Sequence, residues 1–248
     1  MKIAVLSDIH GNLLALESVL EDVQKNGCEK ILFLGDYALA GPEPDDTVNF
    51  CMSLNERNNI EMIQGNTDKM IAEYSEELYA TLSKAAPVMA NALREEANNL
   101  SQNQINFLMN LPAQKNIELD GIKILMVHGS PRRNNEDILP DTPIESVEEM
   151  LKDVDADLIV CGHTHLPCGF QTETKQTVIN VGSVGRPFTE NPEACYAIIT
   201  TTGKGEFSAE HRYVKYDNLT AAKTLALRGF VGADKLANNL IHSTARHF

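Results

Sequence analysis

Five short apolar runs in this 248-residue chain each end in a residue type that ligates metals. Residues 3–6 lead into Ser7-Asp8-Ile9-His10, residues 31–34 into Gly35-Asp36, and residues 60–63 into Gln64-Gly65-Asn66. Residues 122–127 lead into His128-Gly129, and residues 158–161 into Gly162-His163-Thr164-His165. Singly, none of these points to chemistry: an aspartate after a strand makes turns, and a lone histidine sits satisfied in many cores. Seven together at strand ends are hard to obtain from packing alone. Asp8/His10 and His163/His165 stand at i and i+2, which in extended backbone points both side chains the same way. Four imidazoles favour Mn, Fe, Co, Ni or Zn over oxygen-seeking Mg or Ca. The other histidines, His211, His242 and His247, have no such companions and read as surface residues.

The elements that would position these tips follow from periodicity. Residues 2–6, 31–34 and 60–63 read as strands. Between them lie a helix capped by Asn12, with Leu13, Leu16, Val19 and Val23 on one face until Gly27, and a second over 45–54. This rhythm predicts a mostly parallel, covered sheet, and ligands gather at the carboxyl ends of such strands. Residues 69–111 break the rhythm: they read as two or three helices interrupted near Pro87, the last opened by the Ser101/Gln104 capping box. Such an insertion either caps a substrate site or packs as a helix pair.

From residue 116 the pattern turns to β. Asp120-Gly121 joins two strands as a hairpin. Thr142, Pro143 and Glu145 are set to open a helix running to about residue 152. Strands are expected over 158–161, 176–181, 195–200 and 206–214, and helices close the chain over about 218–246. No repeat or linker divides it, so residues 1–248 read as one domain with a helical insertion over about 69–111.

The chain carries 21 basic and 35 acidic side chains, a formal net charge of -14. That balance disfavours a nucleic-acid coat or an anionic membrane face. No apolar run approaches the roughly 20 residues that span a bilayer. Five cysteines without a C-x-x-C pair do not suggest a disulfide frame, and the chain reads as cytoplasmic. Cys161 reads as structural, and Cys168 as closer to exposed.

The D-x-H, G-D, G-N, V-H-G and G-H-T-H blocks, in this order from Asp8 to His165, resemble those of the calcineurin-like metallophosphoesterases. More finely, the chain is similar to the small YfcE-like phosphoesterases of bacteria and archaea. Further matches are Gly41-Pro42, Val127-His128-Gly129-Ser130-Pro131 and Gly182-Ser183-Val184-Gly185-Arg186-Pro187. The resemblance implies an α/β fold of two packed mixed β-sheets flanked by helices. It also implies two divalent transition-metal ions, Mn favoured: Asp8, His10 and His165 would hold one, Asn66, His128 and His163 the other, with Asp36 bridging. A hydroxide between the ions would be the nucleophile, with Asp36, Asn66 and His128 at the reacting centre. Two ions against two carboxylates leave the site at about +2, suited to an attacking anion and a phosphate.

One departure stands out. Most of that family has histidine after the asparagine, where this chain reads Gly65-Asn66-Thr67-Asp68. A threonine hydroxyl is no acid near neutral pH, so general-acid help of about 10²–10⁴-fold is missing unless another group supplies it. Substrates whose leaving groups depart as stable anions are therefore expected: an activated phosphodiester, or a nucleotide phosphoanhydride such as a dinucleoside polyphosphate. Asn12, Arg186 and Arg132, with Arg133 less favoured, are the candidate phosphate contacts. The partner is then a small phosphate ester or nucleotide, neither a nucleic-acid duplex nor a membrane, and a homo-oligomer is left open. The alternatives are a non-catalytic scaffold on the same fold, or a phosphomonoesterase or protein phosphatase.

Overall fold

The computed structural model describes residues 1–242. His247 and the last residues of the helical span expected over 218–246 lie outside them. Ten strands are formed among the described residues: β1 (Lys2–Leu6), β2 (Lys30–Phe33), β3 (Ile60–Met62), β4 (Gln114–Leu119), β5 (Ile122–Val127), β6 (Leu158–Cys161), β7 (Cys168–Gln171), β8 (Thr177–Asn180), β9 (Ala194–Thr201) and β10 (Phe207–Val214). They make two five-stranded sheets, ordered β10-β9-β1-β2-β3 and β4-β5-β6-β8-β7. Each sheet has three parallel strands: β1-β2-β3 in the first, extended on the β1 side by antiparallel β9 and β10, and β5-β6-β8 in the second, flanked by antiparallel β4 and β7. The two packed mixed sheets implied by the family resemblance are thus formed, and the parallel pairing expected from the strand–helix rhythm is that of β1, β2 and β3. The later β-rich half supplies the antiparallel strands β9 and β10 of the first sheet and all of the second, in which α7 joins the parallel pair β5 and β6.

Strand alternation explains the layering. Ile3, Val5, Leu32, Leu34, Ile124, Met126, Leu158 and Val160 meet between the sheets. Ala4, Leu6 and Phe33 face the other way, against helices. On that side pack α1 (Leu13–Lys25), α2 (Pro44–Asn55), α3 (Asn66–Ala72), α4 (Glu76–Ala85), α5 (Pro87–Asn99) and α6 (Gln102–Asn110). The second sheet's outer face, with Leu125, Val127, Ile159 and Cys161, is covered by α7 (Ile144–Leu151). Helices α8 (Asn218–Leu227) and α9 (Ala233–Ile241) return to the first sheet's helical side.

Local signals read from sequence hold at several joints. The Asn12 side chain accepts the Ala15 N–H at the start of α1, and Ser101 and Gln104 form the capping box of α6. Asp120 and Gly121, at φ 51° and 78°, close the β4–β5 hairpin with the paired left-handed residues of a tight turn. The interruption expected near Pro87 falls between α4 and α5, and Pro87 opens α5. The insertion holds four helices, not two or three, because α3 starts at Asn66 itself. Thr142 does not cap α7; its hydroxyl accepts the Leu139 N–H and the helix begins after Pro143. Among the described residues no helix is long and apolar enough to cross a membrane.

Candidate metal centre

The tips of both sheets deliver their polar residues to one place, and they do so through unusual backbone. Asp8, His10, Asp36, His163 and His165 have φ of 56°, 47°, 59°, 67° and 61°. Left-handed conformations at non-glycine residues cost on the order of 1–3 kcal/mol each and persist only where the surroundings enforce them. The i, i+2 pairs are therefore not extended, as the spacing had suggested. Each turns sharply at both ligand positions, which brings both side chains in over the strand end.

Three imidazoles are oriented by backbone carbonyls. His10 Nδ1 donates to Leu39 O at 2.6 Å, His128 Nδ1 to Leu34 O at 2.7 Å and His165 Nδ1 to Arg186 O at 2.6 Å. A carbonyl can only accept, so each Nδ1 carries a hydrogen, and Nε2 is the nitrogen each ring can offer as a lone pair once it is bare. These Nε2 atoms converge. His10 Nε2 lies 3.1 Å from His165 Nε2, and His128 Nε2 lies 2.9 Å from Asn66 Oδ1 and 3.3 Å from Asp36 Oδ2. Asp8 Oδ1, 3.2 Å from His165 Nε2, is buried without a hydrogen-bond partner. A pocket of facing acceptors is satisfied by cations. Asp8, His10 and His165 form one candidate metal triad and Asp8, Asp36 and His128 a second, each with ligand atoms within 4.8 Å of one another.

Close backbone approach makes this possible. A Cβ on Gly65 would lie 2.0 Å from Asp36 Oδ1, and one on Gly162 would lie 2.5 Å from Asp8 Oδ2. The carboxylates are fixed from their other sides: Asp8 Oδ2 accepts the His163 N–H at 2.9 Å and Asp36 Oδ1 the Thr67 N–H at 2.9 Å. Burial alone would raise both carboxyl groups, but the neighbouring imidazoles reverse it. Asp8 falls well below the usual range and Asp36 to about 2. His10 falls to about 4, chiefly from burial and then from His165 beside it. Burial would also lower His128, yet Asp36 and Asp8 hold it up at about 10.

The other expected residues are placed less uniformly. The His163 ring stands beside that of His128, centroids 5.3 Å apart, with its Nε2 3.3 Å from Asp137 Oδ1. Asn12 is fully buried and its amide is engaged, with Nδ2 donating to Gly185 O and Tyr216 Oη. Arg132 and Arg133 both bond Glu136. Arg186 is different: its Nη1 meets Met89 Sδ at 3.5 Å, its guanidinium lies 5.6 Å from the Phe188 ring, and burial lowers it to about 10. Its backbone carbonyl receives the His165 Nδ1 hydrogen, so the residue stands beside the ligand cluster.

A sequence model of the calcineurin-like phosphoesterase superfamily domain matches residues 1–204. The chain belongs to that superfamily. This phosphoesterase is 29% identical over 232 residues to an uncharacterized protein of Methanocaldococcus jannaschii, covering 87% of this chain and 88% of the other. Its fold resembles that of a metallophosphoesterase from Sphaerobacter thermophilus, with a TM-score of 0.79, 25% identity, and 98% and 100% of the two chains covered. It also resembles a hypothetical protein from Pyrococcus horikoshii, with a TM-score of 0.85, 22% identity, and 98% and 99% covered. Membership makes the chain a metal-dependent phosphoesterase, and the acceptor cluster fits the divalent ions the family uses.

Residues beyond the seven candidate ligands also shape this phosphoesterase site. Asp68 is fully buried and accepts the backbone N–H groups of Asp36, Tyr37 and Gly65. Its place three residues after Gly65, at the third position of α3, was the available signal. Phe188 stacks on His165, centroids 4.8 Å apart and planes 13° apart. His211, expected at the surface, is half-buried, and its Nε2 bonds Asn180 O at 2.7 Å; His242 is exposed.

Proposed function

We propose that this phosphoesterase is a cytoplasmic hydrolase with a binuclear centre, manganese favoured, acting on a phosphodiester or a nucleotide phosphoanhydride such as a dinucleoside polyphosphate. The observation that carries the reading is the convergence of the His10, His128 and His165 Nε2 atoms on the partnerless Asp8 Oδ1. Asp8, His10 and His165 would hold one ion, and Asn66, His128 and His163 the second. Asp36 bridges them, in keeping with its Oδ2 lying 3.8 Å from His10 Nε2 and 3.3 Å from His128 Nε2. Divalent ions bound there supply an activated water nucleophile and a positive clamp on the phosphate.

The chain's own groups then limit what leaves. Arg186 is the cation at the rim best placed to hold a further phosphate oxygen; Arg132 would have to give up Glu136 to do so. Thr67, where the wider family carries histidine, is buried, and its hydroxyl has no hydrogen-bond partner. It offers no acid near neutral pH, so leaving groups that depart as stable anions are turned over fastest. The test is a screen of protein reconstituted with Mn, Co, Ni or Zn against bis-aryl phosphate, aryl and alkyl monophosphates, cyclic nucleotides and dinucleoside polyphosphates. Asp36→Asn serves as the control that abolishes turnover. Equal, fast hydrolysis of alkyl and aryl esters would refute the leaving-group argument. Inertness toward every substrate with every metal would favour the scaffold reading.

A further inference from the structure

Residues 38–41, in the loop after β2, lie directly over His10. Leu39 O receives the His10 Nδ1 hydrogen at 2.6 Å, and Gly41 packs so closely that a Cβ there would stand 1.4 Å from His10 O. Between them Ala40 adopts φ 68°, a left-handed conformation that alanine takes only under constraint. The constraint comes from two distant parts of the chain. Glu96, on α5 of the helical insertion, accepts the Ala40 N–H through Oε1 at 2.9 Å. Arg228, which ends α8, donates from one Nη1 to Gly41 O at 2.6 Å and to the same Glu96 oxygen at 2.7 Å. Its Nη2 bonds Glu95.

Stability alone is a poor reason for this arrangement. Glu96 is fully buried, its Oε2 has no hydrogen-bond partner, and the neighbouring buried positions of α5 are Ala90, Ala92 and Leu93. A buried ion pair with an unsatisfied oxygen contributes little to folding compared with apolar side chains of similar size. What it does hold is the loop whose carbonyl sets the direction of the His10 lone pair.

We propose that Glu96 and Arg228 form a buried clamp that positions His10, so that the helical insertion and the C-terminal helices tune the metal affinity of the centre. The inference rests on the metal reading of the site. Both residues act through the loop, and neither touches the ligand cluster. Partners that orient metal-bound histidines typically contribute about 10–100-fold in metal affinity.

The test is a cobalt(II) titration of the full chain, followed by visible absorption, with near-UV circular dichroism to confirm folding. Glu96→Ala and Arg228→Met are expected to weaken cobalt binding by about 10-fold or more and to alter the ligand-field bands. Glu96→Gln, which keeps an acceptor for the Ala40 N–H, recovers part of that loss. Glu95→Ala, which removes a partner of Arg228 but no contact to the loop, binds cobalt as the unaltered protein does. Wild-type affinity and spectrum in folded Glu96→Ala overturn the clamp. An equal loss in Glu95→Ala also overturns it, since general destabilisation would then suffice. If Glu96→Ala does not fold, unchanged cobalt binding in both Glu96→Gln and Arg228→Met has the same force. Unaltered protein that takes up no cobalt removes the metal reading and the clamp together, whereas unaltered protein that binds while the variants match it removes the clamp alone.

Discussion

Asp68 Oδ2 accepts the backbone N–H of Asp36 at 2.8 Å, and the same oxygen accepts that of Gly65, also at 2.8 Å. One carboxylate on α3 therefore fixes the turns after β2 and β3, where Asp36 and Asn66 stand. Asp68→Ala leaves three buried N–H groups without an acceptor, a cost of about 3 kcal/mol or more. Thermal unfolding should shift down accordingly, and metal affinity should fall by about 10–100-fold. A variant destabilised to that extent but with unchanged metal affinity would confine Asp68 to the fold.

Gly65 has φ -87°, which any residue can adopt, so alanine there strains none of its own dihedrals. Its methyl group would instead strike Asp36 Oδ1 and the Asp36 N–H. Gly65→Ala is expected to fold and to lose bound metal on dialysis, with activity down by about 100-fold. Metal analysis beside a circular dichroism spectrum checks both halves of the prediction.

The state of His128 gives the metal-free protein a definite pH dependence. Its folded-state pKa of about 10 lies above the ordinary 6.5 because Asp36 and Asp8 outweigh burial. A raised histidine stabilises the fold fully below about pH 6.5 and loses that contribution as pH climbs to about 10. Metal requires the bare nitrogen, so binding at pH 8 should release close to one proton, and apparent affinity should rise about tenfold per pH unit through this window. Calorimetry in buffers of different ionisation enthalpy counts the proton; a count of zero at pH 8 would contradict the assignment.

Arg186→Ala should raise KM for phosphate esters by about 10- to 100-fold, the range for a hydrogen bond to a charged group, while thermal stability holds or improves. Burial already disfavours this charge in the folded chain, as its lowered pKa shows. Steady-state kinetics with an aryl phosphodiester provides the measurement. An unchanged KM would return Arg186 to a packing role against Met89 and Phe188.

Much of the fold and of the candidate ligand set was legible because each candidate follows a run of apolar residues too regular to misread, as in residues 3–6 before Asp8. Strand β7 was not, because its sequence, Cys168-Gly169-Phe170-Gln171, is short and has no apolar alternation beyond one phenylalanine. The left-handed turns at Asp8, His10, Asp36, His163 and His165 were also hidden. Aspartate and histidine tolerate that conformation without announcing it, and only tertiary contacts impose it. Asp68 and Glu96 escaped notice for a related reason: an acidic residue on a helix reads as solvent-facing, and burial depends on backbone donors far away in sequence. His211 was misplaced in the same way, since its partner is a carbonyl on β8 in the other sheet.

The candidate ligands come from both halves of the sandwich. Asp8, His10, Asp36 and Asn66 follow strands of one sheet, and His128, His163 and His165 follow strands of the other. An ion held among them is a rivet across the seam. Peeling the sheets apart, by force or by denaturant, would have to break coordination bonds before the apolar interior could part, so chelators should soften the molecule mechanically as well as silence it.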